Sequence, residues 1–399
     1  MEQLIEIFHE KMKRIKAKYQ RDFAKKIDWN DRLIGVKGAR GVGKTTLLMQ
    51  RLKQMQLPSS QAVYVSLDEL WFTENKLVDL ARTFVQKGGK YLFLDEVHKY
   101  KNWSQEIKNI YDTWTELHIV FTGSSMLHIH DARTDLSRRA MVYTMQGLSF
   151  REYLNISQSK DYQSITLENI LSNHIDISMQ ISGEIKPLTF FYQYLKNGYY
   201  PYFLENENNY LARLRETVLY TLEIDLVHLR QISTQHIDKL KKLLYVLSQS
   251  VPYTPNILKL SEQIGVSRNT LMNYLQYLHE AELFILLFSK NSGNQLMQKP
   301  DKMYLHNTNI YYALAGNDFK NNIGAVRETF FVNQLSQSAI VNYTETGDFL
   351  VNENYIFEVG GRNKGFKQIA NLPNSYLAVD EKETGVENKI PLWLFGFLM

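Results

Sequence analysis

A multi-domain α/β protein with a parallel sheet in its first third is the fold class this chain predicts, on three observations. From residue 33 to about 155, short apolar runs alternate with helix-forming stretches, as they do where parallel strands are joined by crossover helices. The first run leads into Gly38-Ala39-Arg40-Gly41-Val42-Gly43-Lys44-Thr45, which matches the phosphate-cradling pattern G-x-x-x-x-G-K-[ST] at every position. A third run, Tyr91-Leu92-Phe93-Leu94, ends in the paired carboxylates Asp95-Glu96. By average residue frequencies, a chance match to the loop pattern in a chain this long has a probability of about one per cent.

Taken in order, the elements support that class. An N-terminal helix is expected over 1–28. Strands are expected at Leu33–Val36, Ala62–Leu67, Tyr91–Leu94, His118–Thr122 and Met141–Met145, with helices at 45–54, 74–86 and 104–114. The second, third and fourth strands run into Asp68-Glu69, Asp95-Glu96 and Gly123-Ser124-Ser125. Polar residues therefore gather at the carboxyl ends of strands, where open α/β sheets bind ligands. Residues 150–245 read as mostly helical. Residues 255–282 read as a helix-turn-helix: Leu258, Leu260, Ile264 and Val266 pack one side, Gly265-Val266-Ser267 turns, and Ser267 caps a second helix carrying Leu271, Tyr274, Leu275 and Leu278. The strand-like stretch up to Phe288 suggests the wing of a winged helix. The last hundred residues switch to strands at Lys302–Leu305, Gly347–Val351, Tyr355–Val359, Ser375–Val379 and Pro391–Met399, with a helix at 326–337.

Composition sets outer limits. The chain has 399 residues, enough for two to three domains, and its 44% hydrophobic and 22% charged content excludes wholesale disorder. With no cysteine there are no disulfides, thiolate metal sites or cysteine nucleophiles, which fits a reducing cytosol. No signal-peptide layout and no apolar run of membrane-spanning length is present, so a cytoplasmic protein is expected. The net charge of +4 is mildly basic. Lys11, Lys13, Arg14, Lys16, Lys18, Arg21, Lys25 and Lys26 stand against Asp22 alone, a run that suits either contact with nucleic acid or the solvated face of a helix lined by Ile5, Phe8, Met12 and Ile15.

The chemistry concentrates in the loop and the two strand ends. Gly38, Gly41 and Gly43 let backbone N–H groups turn inward around a phosphate, with Ala39, Arg40, Val42 and Thr46 completing the nucleotide-binding stretch, and the helix that follows adds its positive N-terminal end. Lys44 is expected to reach the β- and γ-phosphates and the Thr45 hydroxyl to ligate Mg²⁺. Asp95 would support the metal and Glu96 would orient and deprotonate an attacking water. Ser124 is a candidate sensor of the γ-phosphate, though Gly123-Ser124 also reads as an ordinary turn. Arg133, Arg138 and Arg139 follow as candidates for a cation on the developing charge.

Together, Gly38–Thr45, Leu94-Asp95-Glu96-Val97-His98-Lys99-Tyr100 with Trp103, Thr122-Gly123-Ser124-Ser125 and Gly147-Leu148-Ser149-Phe150-Arg151-Glu152-Tyr153 resemble the bacterial and archaeal AAA-superfamily ATPases. In that family the ATPase core precedes a winged helix and a restriction-endonuclease-like domain. The turn Gly198-Tyr199-Tyr200-Pro201 and Asp225 resemble its linker region. The resemblance implies ATP rather than another nucleotide, and no guanine-specific Asn-Lys-x-Asp motif is present. It aligns Arg139, in Leu136-Ser137-Arg138-Arg139, with the family arginine. It also implies a P-loop NTPase domain over 1–155, a helical linker over 156–245, a winged helix over 246–295 and a nuclease-like α/β domain over 296–399.

A nuclease of the PD-(D/E)XK type needs an aspartate on one strand and a carboxylate-x-lysine on the next. The chain offers Asp348, then Glu358-Val359-Gly360, with Glu328 as a further carboxylate; Gly360 stands where lysine is required, and Lys364 or Lys367 is the available substitute. An inactive nuclease-like scaffold is the expectation. The second helix of the helix-turn-helix presents Arg268, Asn269, Asn273 and Gln276, opposed by Glu280 and Glu282, and fits DNA or protein docking. The expected activity is Mg²⁺-dependent ATP hydrolysis that repositions the later domains. Its alternatives are an ATP-gated DNA-binding regulator and a metal-dependent nuclease, and a homo-oligomer or a protein partner fits any of these.

Overall fold

In the computed structural model the described residues are all but 16–18, 127–135, 137, 231, 291–297, 316–321, 371 and 399. The chain begins with two helices, α1 (Glu2–Arg14) and α2 (Phe23–Lys26), where one helix over 1–28 was expected. Ile15 leaves helical geometry at φ −72°, ψ 114°, and Arg21, assigned by its neighbours to a solvated face, is buried. A guanidinium turned inward needs carbonyl partners, and a straight helix at the surface would not bring it to them.

Five parallel strands follow: β1 (Leu33–Gly38), β2 (Ala62–Ser66), β3 (Tyr91–Asp95), β4 (His118–Ser124) and β5 (Met141–Thr144), with crossover helices α3 (Lys44–Met55), α4 (Leu77–Gln86) and α5 (Trp103–Thr113). All but β5 are buried almost throughout, because crossover helices cover both faces of such a sheet and leave no polar side to their strands. The spatial order is β2-β3-β4-β1-β5. β4 therefore lies between the strand that feeds the glycine loop and the strand that ends in Asp95. This sheet and its helices form one compact unit, Met1–Gln146.

The second unit is Gly147–Met399. It opens with helices α6 (Phe150–Ser157), α7 (Leu167–Glu184), α8 (Pro187–Asn197), α9 (Tyr210–Tyr220), α10 (Leu226–Arg230) and α11 (Thr234–Ser248). Next come α12 (Ile257–Ile264) and α13 (Arg268–Glu280), joined through Gly265 at φ 75°, with the Ser267 hydroxyl accepting the Thr270 N–H as expected. Leu258 does not pack inward; it is 67% exposed, and Ile257, Leu260 and Ile264 hold the buried stripe at helical spacing. Strands β6 (Phe284–Leu287) and β7 (Lys302–Leu305) pair antiparallel. They are followed by α14 (Thr308–Ala315) and α15 (Ile323–Leu335).

A mixed sheet closes the unit, built from β8 (Val341–Tyr343), β9 (Phe349–Val351), β10 (Tyr355–Gly360), β11 (Ser375–Val379) and β12 (Lys389–Pro391), in the order β12-β11-β10-β9-β8. The expected last strand, 391–399, is instead the tight 3₁₀ turn Leu392–Phe397. Leu392, Trp393, Leu394, Phe395 and Phe397 are all buried, packed against α6, α7, α8 and α15. A strand has two faces, whereas a three-residue turn sends side chains in three directions, which a run apolar at nearly every position requires.

Candidate active site

The glycine loop leaves β1 at Gly38 and ends where α3 begins at Lys44. Gly41 and Gly43 have φ of 87° and 103°, a region that side chains with a Cβ disfavour. At Gly38 the constraint is space, since a Cβ would stand 2.2 Å from the Met145 carbonyl oxygen. Val42 is fully buried and pins the middle of the loop. The Lys44 ammonium donates to the carbonyls of Gly38 at 2.7 Å and Ala39 at 2.9 Å, inside the loop's curve. Arg40, Thr45 and Thr46 are exposed along it.

Register then brings the other strand ends to this loop. Gly38 pairs with Ser124 on β4, and Leu94 pairs with Phe121, so Thr122 stands beside Asp95. Asp95 is buried, and hydroxyls surround it. Its Oδ2 accepts from Thr45 Oγ1 at 2.6 Å and from Tyr64 OH at 2.7 Å, and its Oδ1 accepts from Thr122 Oγ1 and from the Glu96 N–H. Burial and the adjacent carboxylate push the Tyr64 hydroxyl's pKa far above its usual value, so it stays a donor. Glu96 directly follows β3 in the left-handed region, φ 52°, ψ 40°, a positive φ it shares with Glu282, Glu353, Glu381 and Glu387. Behind it His98 is buried, its Nδ1 accepting the Ser124 N–H at 3.3 Å and its Nε2 lying 3.6 Å from Glu96 Oε2.

Lys44, Thr45, Asp95, Glu96 and Ser124 are thus brought to one edge of the sheet. Arg139 is not, and the expectation that it reaches this edge is corrected. Met141 pairs with Ile34 near the start of β1, so Arg139 belongs to the amino-terminal edge, opposite the loop. There it forms a two-point pair with Asp112 of α5, at 2.9 and 3.2 Å. Arg138 is exposed, and Arg133 lies outside the described residues.

Four residues of the site have no role assigned from sequence: Tyr64, His98, Thr122 and Arg21. Tyr64 and Thr122 were detectable as hydroxyls within apolar strands, though only the strand order shows that they meet Asp95. Arg21 gave no signal, hidden as it was among surface cations. Its guanidinium donates to the carbonyl of Val42 in the loop and to that of Gln146, both at 3.1 Å.

The second group singled out in the sequence also assembles, with different partners. Glu328 accepts from Lys302 at 2.8 Å and Tyr304 OH at 2.7 Å, and Asp348 accepts the Val359 N–H at 2.8 Å, 3.8 Å from the Lys302 ammonium. Glu358, 1% exposed, pairs with Lys364 at 2.7 Å, while Lys367 is exposed. The Lys364 stem fills the space beside Gly360, where an added Cβ would meet it at 2.6 to 2.8 Å. Among the described residues, no group of three or more His, Asp or Glu side chains is arranged to hold a metal ion, and no helix is long and apolar enough to cross a membrane.

The sheet order, the loop and the oxygen donors around Asp95 define an AAA-type P-loop domain in the first unit. Residues 30–154 match the family described as AAA domain, and residues 188–321 match a domain of unknown function, DUF8612. The chain is 28% identical over 287 residues to the uncharacterized protein MJ1637 of Methanocaldococcus jannaschii, covering 68% of this chain and 60% of that one. It is 24% identical over 353 residues to MJ1544 of the same organism, covering 83% and 73%. The chain therefore spans less than two thirds of the first of these relatives. Among solved structures, AMPPCP-bound DnaA from Aquifex aeolicus is similar at 15% identity, covering 69% of this chain and 87% of that one at a TM-score of 0.25.

Proposed function

We propose that the first unit binds ATP with Mg²⁺ and hydrolyses it, and that the nucleotide state is passed to the second unit. The observation that carries this reading is the 2.6 Å contact between the Thr45 hydroxyl and the Asp95 carboxylate, beside a loop that only glycines can form. A set of oxygen donors fits a hard divalent cation, and Thr45 and the buried Asp95 are the residues that would hold it. When bound, Mg²⁺ neutralises charge on the phosphate oxygens. The loop amides and the N-terminus of α3 bind the phosphates, and Lys44 adds a point charge. Glu96 orients a water and takes its proton. Ser124, one strand from the loop, is positioned to hydrogen-bond the γ-phosphate. Adenine as the base is part of this reading, supported by the match of residues 30–154 to the AAA domain.

Arg21 supports the coupling. It ties a loop carbonyl to Gln146, the last residue of the first unit, so displacement of the loop by phosphate reaches the start of the second. A cytoplasmic setting suits a chain without cysteine. Comparison of Glu96→Gln with the native chain tests the chemistry: fluorescent-ATP binding is retained while turnover falls by roughly 100-fold or more. Unchanged turnover would remove Glu96 from the mechanism.

A second reading rests on α12, α13 and the β6–β7 pair, taken as a winged helix. Arg268, Asn269 and Asn273 are exposed on α13, and Lys239 and Lys242 of α11 donate to the Gly265 and Gln263 carbonyls at the turn. These supply cations beside a helix able to enter a groove, favouring an ATP-gated DNA-binding regulator. Anisotropy of a labelled duplex, with and without ATP across salt, decides it; absence of salt-dependent binding in both states excludes this reading. The β8–β12 sheet with α15 is read as a nuclease-like scaffold without cleavage activity, because its carboxylates already carry ammonium partners.

A further inference from the structure

We infer that His98 is a positioning residue for Glu96, linking the end of β4 to the carboxylate that activates water; this rests on the ATPase reading above. Four observations converge on it. Glu96 is held in left-handed backbone geometry at the mouth of β3, so its side chain is aimed by its own turn rather than by a strand. His98 lies in the short turn that follows, Val97–Lys99, and is 3% exposed. Its Nδ1 accepts the main-chain N–H of Ser124 at 3.3 Å, which places the proton of a neutral ring on Nε2. That nitrogen lies 3.6 Å from Glu96 Oε2, within electrostatic reach but beyond hydrogen-bond distance.

The ring is thus oriented at one end by β4 and points a donor at the carboxylate from the other. Ser124 pairs in register with Gly38, the first residue of the phosphate loop. A shift of β4 or the loop when the γ-phosphate enters or leaves is therefore transmitted through one rigid ring to Glu96. In this inference the N–H dipole of the ring steers the carboxylate from 3.6 Å, and the ring itself does not touch the nucleotide. Its removal should change the chemical step and leave ATP affinity alone.

The test uses the full chain with three substitutions. His98→Asn keeps an acceptor near the Nδ1 position and loses the distal donor; His98→Gln returns a donor near Nε2; His98→Ala removes both. We expect kcat for ATP to fall by roughly 10- to 100-fold in His98→Ala and His98→Asn, the span observed when partners that orient a reacting group are removed. The dissociation constant for fluorescent ATP should change by less than about twofold, and His98→Gln should recover part of kcat. In the Glu96→Gln background, His98→Asn should cost nothing further, since the group it positions is gone.

Native kcat in His98→Asn, or equal loss of kcat and ATP affinity in all three variants without recovery in His98→Gln, would overturn the inference. The ATPase reading fails separately: it falls if Glu96→Gln turns over ATP at the native rate. Native turnover that depends on Glu96 but not on His98 sinks the positioning role alone.

Discussion

Two clusters of carboxylates, one in each unit, are built from similar residues and satisfied in opposite ways. Around Asp95 the donors are hydroxyls from Thr45, Tyr64 and Thr122 and one main-chain N–H. Around Glu328 and Glu358 ammonium groups of Lys302 and Lys364 pair directly, while Asp348 accepts the Val359 N–H and lies 3.8 Å from Lys302. Hydroxyls satisfy lone pairs without cancelling charge, so the first cluster has the donor chemistry that the proposed Mg²⁺ site requires. Two ammonium groups offset two of the three carboxylate charges and occupy Glu328 and Glu358 directly, so those two have little left to attract a cation. Burial alone therefore does not distinguish the two clusters; the chemistry of their donors does.

Four experiments bear on this contrast, from the largest expected effect to the smallest. Asp95→Asn removes the charge that the hydroxyls leave intact, and should lower Mg²⁺-supported ATP turnover by roughly 100-fold or more, with little loss of thermal stability. Asp348→Asn should leave turnover unchanged; equal loss in both would erase the contrast. Lys364→Met leaves Glu358 buried without its ammonium partner, and one of its oxygens, Oε2, has no hydrogen bond among the described residues. A cost of about 1 to 3 kcal/mol in urea unfolding is expected, much of it recovered by adding Glu358→Gln.

The third concerns pH. His306 is buried, which pulls its pKa from 6.5 down to about 3, with His279 pushing the same way. The unfolded chain takes up a proton there below pH 6.5 and the folded chain does not, so this group's stabilisation is full above 6.5 and shrinks as pH falls. About 2 kcal/mol should be lost by pH 5, visible as a drop in Tm that His306→Asn blunts. At the alkaline end the sign reverses for Lys364. Its hydrogen bond to Glu358 raises its pKa above 10.5, so that contribution is present below 10.5 and lost as pH climbs past it. The smallest effect is expected from Tyr64→Phe, which takes one of several donors from Asp95. A decrease of about 1 kcal/mol in stability, with turnover down by less than tenfold, should be measurable; no change in either would mean that Tyr64 does not help to hold the carboxylate.

The strands of the first unit, the glycine loop and the acidic pair were legible because each is local. Period, length and turn chemistry act within a few residues, so β1 to β5 and their helices are found where the alternation of apolar runs puts them. Longer-range facts were not legible. Arg21 looked like its cationic neighbours until the fold turned it toward Val42. Arg139 looked close to the loop because it follows β4 in sequence, yet a parallel sheet returns the chain to the opposite edge before β5 starts. The final apolar run looked like a strand because an all-apolar stretch has no period by which to distinguish a strand from a tight helix.

The sequence by itself determined that a phosphate loop exists and that two carboxylates end a buried strand, since both depend on residue types at fixed spacing. Only the tertiary structure decided which strand lies between them. The order β2-β3-β4-β1-β5 inserts β4 between loop and carboxylates, making Thr122 and Ser124 neighbours of both and drawing His98 against Glu96. Lateral strand order is set by how the crossover helices pack on the two faces, a property of the whole sheet that no short segment encodes.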